Sequence, residues 1–288
     1  MDFISGAARS WRLIKASTKV LSDDGELLLL PILSGAATIS VCGMLVWQAM
    51  NDGSFDAVRE GANPADLPLS LYVWLFAFYL VQYFIIIFFN TALVGAAIER
   101  LDGGDPTIRS ALGLAFRRIV HIFGYALVSA TIGMILRTIG ERLGLLGRLI
   151  ELGAGLAWTV TTFLVVPVLA VENIGPVEAI SRSAGLLRKT WGENIVGSAG
   201  ISLVMGAAMA VVIFPTVFAA KAVGDDWSLG VPLLLGAGLL LAGLMAFGAA
   251  LQAVYTAAVY YYAVVGEPPE GFDRDLIRDS FARKPGSY

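Results

Sequence analysis

One cysteine and one histidine among 288 residues remove most thiol and metal chemistry at the outset. Cys42 stands alone inside an apolar run, so neither a disulfide framework nor a thiolate cluster can be built. His121 lacks partners at metal-ligand spacing, and Arg117 and Arg118 on the preceding turn would repel a cation. It reads as a histidine at a headgroup boundary. Neither the H-E-x-x-H pair of metallopeptidases nor a G-x-x-x-x-G-K-[ST] phosphate loop occurs. Charge is also scarce, at 15% of residues, with 20 basic and 23 acidic side chains and a formal net charge of −3. That balance gives no reason to expect nucleic acid. No metal and no cofactor is expected.

What fills the chain instead is apolar: 57% of residues are hydrophobic, a membrane composition rather than a soluble one. Runs free of charge span 27–50, 69–98, 119–136, 152–171, 195–220 and 229–265. A helix needs about 20 apolar residues to cross the hydrocarbon core, so six transmembrane helices are expected. The first run lies behind a charged leader and reads as an uncleaved span, not a signal sequence. The last is read as one tilted helix entered through VPLLLG (231–236), with a re-entrant piece as the alternative. Pro31, Pro167 and Pro215 are expected to kink three of the spans. Tyr255, Tyr260, Tyr261 and Tyr262 read as part of an interfacial aromatic belt. Glycines 236, 238, 243 and 248 read as a packing surface in the sixth span.

A phrase recurs between these runs. The pattern R-S-x-x-L-[IL]-[KR] fits Arg9–Lys15 and Arg182–Arg188, and Arg109-Ser110 opens a looser copy ending in Arg117-Arg118. Each copy has an apolar stripe at spacings of three and four and precedes an odd-numbered span. The expected fold is therefore all-α: a polytopic six-helix bundle with three or four amphipathic interfacial helices and repeated hairpin units. The units are about 1–98, 99–171 and 172–265, and a tail at 266–288 carries a short amphipathic helix. Fifteen basic residues fall on the side of the termini and five, including Arg137, Arg142 and Arg148, in the opposite loops. That bias places both termini in the cytoplasm.

A short helix with a greasy stripe and a basic flank lies in the membrane plane with its cations among anionic headgroups. Arg9, Arg12, Arg109, Arg117, Arg118, Arg182, Arg188 and Lys189 are the candidate contacts to lipid headgroups or a partner. Simple anchoring is the plainer reading of these elbows, and their repetition is what favours a dedicated role. Glu172, Glu178 and Glu193 read as surface partners for the elbow cations. Gln82, Asn90 and Gln252 are the candidate polar contacts inside the membrane, where amides bond across helices. None of the 43 charged residues lies within the six runs, whereas coupled transport or intramembrane hydrolysis ordinarily requires such groups. The leading expectation is a non-catalytic protein that organises membrane lipid or a membrane-protein complex. A facilitator for a neutral or amphiphilic solute is the alternative, and a lipid-modifying enzyme the least supported. Expected partners are anionic lipids, with a membrane protein or a second copy of the chain.

The opening SWRLIKASTKVLSDDGELLLLPILSG (10–35) and the closing YYYAVVGEPPEGFDRDLIRDSFARK (260–284) resemble a bacterial and archaeal family of integral membrane proteins of unknown function. The middle segment EAISRSAGLLRKTWGEN (178–194) is similar, more distantly, to elbows in the membrane domain attached to some glycerophosphodiester phosphodiesterases. The first resemblance implies a six-span fold with an unassigned role and supplies no catalytic residues; the expected location is the plasma membrane of a bacterium or archaeon. A reporter fused after Tyr288 should be active only in the cytoplasm. An externally active fusion would overturn the topology.

Overall fold

The computed structural model describes residues 15, 17–18, 25–61, 68–190, 194–223 and 227–267. The elbow at 8–15, apart from Lys15, and the tail beyond 267 lie outside them, and with them Arg9 and Arg12. No strand occurs among the described residues. A 3-10 turn at Gly25–Leu28 leads into α1 (Leu29–Asn51), and a short α2 (Asp56–Arg59) precedes α3 (Leu69–Leu101). Then come α4 (Ile108–Arg117), α5 (Ile119–Arg142), α6 (Gly144–Thr161), α7 (Val165–Val171) and α8 (Pro176–Thr190). Two long helices close the chain, α9 (Asn194–Val223) and α10 (Trp227–Val265).

Among the described residues, six stretches are long and apolar enough to cross a membrane: Gly25–Asn51, Leu69–Leu101, Ile119–Glu141, Gly144–Val171, Ile201–Lys221 and Ser228–Val265. Their faces do not hide. Ile39, Val211 and Leu239 are 72–78% exposed, and dozens of other large apolar side chains are exposed to varying degrees. Water would not tolerate so large an apolar surface, whereas lipid is its natural solvent. The molecule is a multi-pass membrane protein. The sixth span is one unbroken helix of 39 residues, about 58 Å at 1.5 Å per residue, with no re-entrant piece.

The chain forms two compact units. One comprises the residues up to Ile32, Leu93–Ser110, and everything from Leu186 onward. Its core holds Leu27, Leu30, Leu93–Ile98 and most of Ala250–Tyr260. Within it α9 packs on α10, where Met205 lies 3.3 Å from a Cβ built on Gly248. The other unit comprises Leu33–Ala92 and Ala111–Gly185. Its core is built from Ile122, Tyr125, Ala126 and Ala130 of α5 with Leu164, Val165, Val168 and Leu169 around α7.

Two expectations need correction, the loop arginines and the tyrosine belt. Arg137, Arg142 and Arg148 are not in a loop: α5 and α6 form a hairpin joined at Leu143 alone. Gly144 makes that turn with φ +58°, a conformation side chains resist. Of the three prolines expected to kink spans, Pro167 follows the break at residues 162–164 of the fourth span by one turn and Pro215 sits inside α9, while Pro31 falls just after the 3-10 turn that opens the first span. Tyr255 and Tyr260 are buried at 3% and 5% exposure, so they are core residues, and only Tyr261 and Tyr262 are half-exposed. Of the glycines read as a packing surface, internal or between copies of the chain, Gly248 is in close contact within the described chain, and a Cβ on Gly236, Gly238 or Gly243 would meet nothing within 4 Å.

The α5–α6 hairpin depends on Gly147. A Cβ there would overlap the Ile139 carbonyl oxygen and come within 2.8 Å of Leu143 Cβ and 3.1 Å of the Gly140 carbonyl oxygen. Overpacking of this kind costs about 1–3 kcal/mol. Gly147→Val should lower the thermal midpoint in detergent. Gly153→Ala in the same helix, where the new Cβ meets nothing within 4 Å, should leave it unchanged or raise it.

Candidate functional site

The recurring Arg-Ser phrase falls in two helices, at the start of α4 and midway along α8, and its serines do different work. At α4, Thr107 and Ser110 close a reciprocal cap: the Ser110 N–H donates to Thr107 Oγ1 at 3.1 Å, and the Thr107 N–H to Ser110 Oγ at 3.0 Å. This satisfies donors that a helix start otherwise leaves open. The chain turns into α4 through Gly103, at φ +83°, with the Gly104 N–H donating to the Glu99 carbonyl. Arg100 pairs with Asp105 across that turn at 3.4 Å. Ala111 and Ala115 form the buried side of α4, while Phe116 stacks edge-on against Phe88 of α3 with centroids 4.9 Å apart.

At α8 the serine is buried mid-helix. Ser183 is fully enclosed, on one face with Ala179, Leu186 and Leu187. Its hydroxyl donates to the Thr161 carbonyl at 2.7 Å and accepts the Leu164 N–H at 3.1 Å. These are the groups that the break between α6 and α7 leaves without helical partners. A side chain from a helix 19–22 residues away repairs the interruption of the fourth span. Pro176 opens α8 against Gly124 of α5, where a Cβ would come within 3.0 Å of the proline ring.

Two arginines converge on the C-terminal end of α7. Arg118, at the break between α4 and α5, donates to the Val171 carbonyl at 3.2 Å and to Asn173 Oδ1. Arg182 Nε donates to both oxygens of Glu172, at 3.0 and 3.2 Å. A helix C-terminus carries partial negative charge and open carbonyls, so a guanidinium suits it. Residues 171–173 thus gather the elbow cations Arg118 and Arg182 into one polar cluster.

The remaining elbow cations stand differently. Arg109, Arg117 and Arg188 are exposed and form no ion pair among the described residues. Lys189 lies near the end of α8, and its side chain is outside the described set. His121 is half-buried, with its Nδ1 enclosed and without a hydrogen-bond partner among the described residues. Gln82 and Asn90 are half-buried on α3 in one unit, and Gln252 is half-buried on α10 in the other. No group of three or more His, Cys, Asp or Glu side chains suited to a metal occurs among the described residues.

At the far end of the α5–α6 hairpin a second charged group appears. Arg137 Nε donates to Glu141 Oε1 at 2.7 Å, its Nη1 donates to the Tyr79 hydroxyl, and its guanidinium lies 6.0 Å from the Tyr79 ring centre. With Arg148 and Glu151 of α6 these residues line an open cleft of about 450 Å³. Reasoning from sequence did not find Ser183, Asn173 or Tyr79 as site residues. A serine inside an otherwise apolar helical stripe is the one signal that could have marked Ser183.

Removing the Ser183 hydroxyl leaves a buried N–H and a buried carbonyl unmet, at about 1–3 kcal/mol. Ser183→Ala should therefore lower the unfolding midpoint clearly. Ser181→Ala, at an exposed position on the same helix, should not.

Comparison with known proteins adds one relation. No curated protein and no solved structure matches the chain. A family described only as of unknown function (DUF6159) matches residues 69–271, well over half of the chain. The match includes the α4 and α8 elbows, part of each unit and the start of the closing segment, and it leaves 10–35 and the whole first span outside. It brings no likeness to phosphodiesterase membrane domains. On this span of shared sequence, the chain belongs to that family of unknown function.

Proposed function

We propose that the protein is a non-catalytic organiser of membrane lipid, acting through basic amphipathic elbows at the cytoplasmic headgroup layer. The observation that supports this is a division of labour among the elbow arginines. Arg118 and Arg182 are consumed in fixing the elbows to the end of α7. Arg109, Arg117 and Arg188 keep exposed guanidiniums on the same short helices, which bury small or apolar residues on the opposite side. A helix pinned by its buried stripe and two arginines presents its other cations without further ordering cost. Guanidiniums match phosphate oxygens bidentately.

The basic excess on this side of the membrane supports the cytoplasmic placement of elbows and termini. The plasma membrane of a bacterium or archaeon is the proposed location. A neighbouring membrane protein with acidic juxtamembrane groups, or a second copy of the chain, could use the same cations. No specific observation favours the solute-facilitator or enzyme readings over this one.

Each arginine near an anionic surface contributes about 1 kcal/mol. The triple variant Arg109→Gln, Arg117→Gln, Arg188→Gln should therefore lose selectivity for anionic over neutral lipid by about 100-fold. The measurement is lipid exchange into mixed nanodiscs with quantification of bound lipid. Unaltered selectivity with intact folding would overturn the proposal.

A further inference from the structure

Arg118 and Arg137 are 19 residues apart on either end of α5, about 28 Å along the helix. The hydrocarbon core is about 30 Å thick. When Arg118 lies at one headgroup boundary, the cleft at Arg137 lies at the other. It sits at the depth of lipid phosphates, on the membrane face opposite the α4 and α8 elbows, and stands independently of how they act.

Among the described side chains, which do not include that of Arg142, four ionisable groups line this cleft: Arg137 and Glu141 on α5, and Arg148 and Glu151 on α6. Their formal charges cancel. Arg137 is already engaged by Glu141 and by the Tyr79 hydroxyl, so it is a fixed wall of the cleft. Arg148 is exposed and makes no ion pair among the described residues. Glu151, one turn along the same helix, is only half-exposed, and its carboxylate lies where a Cβ on Gly140 would be. Any side chain at position 140 would displace that carboxylate. Although they are three residues apart, Arg148 and Glu151 do not neutralise each other.

A free guanidinium and a seated carboxylate in one cleft, where the described charges cancel, complement a ligand carrying a phosphate and an ammonium. A simple anion would meet the two carboxylates, and a simple cation the two guanidiniums. We propose that the α5–α6 cleft binds a zwitterionic phosphoethanolamine group, with Arg148 on the phosphate and Glu151 on the ammonium. Phosphatidylethanolamine headgroups and free glycerophosphoethanolamine share this chemistry, and both can reach the boundary depth.

The test is native mass spectrometry on the delipidated full chain in detergent, titrated with phosphatidylethanolamine or phosphatidylglycerol. The wild type should prefer phosphatidylethanolamine. Arg148→Gln and Glu151→Gln should each weaken it by about tenfold, as expected for loss of one charged hydrogen bond, with phosphatidylglycerol binding unchanged. Arg148→Lys, which keeps the charge, should retain most of the preference, and circular dichroism should report the same helicity throughout. Displacement by glycerophosphoethanolamine would identify the headgroup alone as sufficient. Lack of displacement would identify the intact lipid as the ligand. No preference in the wild type, or an unchanged preference in both Gln variants, would overturn the proposal.

Discussion

Inside hydrocarbon a peptide group has no water to turn to, and this constraint governs the whole molecule. Each unmet N–H or carbonyl costs several kcal/mol there, so long uninterrupted helices are the default and every interruption needs a repair. The sixth span obeys by not breaking at all over 39 residues. The fourth breaks at residues 162–164, and Ser183 supplies a donor and an acceptor from α8 to close the gap. The same hydroxyl that mends the span also fixes the elbow, so the position of α8 follows from a hydrogen-bonding debt in α6 and α7.

The ends of the spans obey a different rule. There cations are welcome, but only in defined places. Arg118 closes the C-terminal end of α7 through the Val171 carbonyl, and Arg182 takes up Glu172 beside it. At the other end Arg137 is held between Glu141 and Tyr79. Charge at both ends of one helical unit, about one bilayer thickness apart, fixes its depth as firmly as its apolar surface does.

Much of this was legible from the residues. Charge-free runs located all six spans, and helix-breaking turns such as Asp102-Gly103-Gly104-Asp105-Pro106 located the starts of the elbows. Glu172 was recognisable as a partner for elbow cations, since it sits beside them in the chain. Other features were hidden for physical reasons. The fourth span begins at Gly144, eight residues before the charge-free run, because Arg148 and Glu151 are helical residues at a boundary and not loop residues. The break itself, Thr162-Phe163-Leu164, carries no glycine or proline, and its one local signal is Pro167, four residues beyond Phe163, which cannot donate to the Phe163 carbonyl. Arg118 finds its partners 53 and 55 residues away, and Arg137 finds Tyr79 at 58, distances at which chain pattern says nothing. The tyrosines near the end of α10 looked like a belt by type, yet tertiary packing enclosed two of them.

The central claim is that the exposed apolar faces meet lipid and the enclosed ones meet protein. Spin labels placed singly at Ile39, Val211 and Leu239 in liposome-reconstituted protein report this through collisions with oxygen and with a water-soluble nickel chelate. The account predicts high oxygen and low nickel accessibility at those three sites, and low values of both at Ile122 and Leu251, which are fully enclosed. High nickel accessibility at the three exposed sites would contradict it.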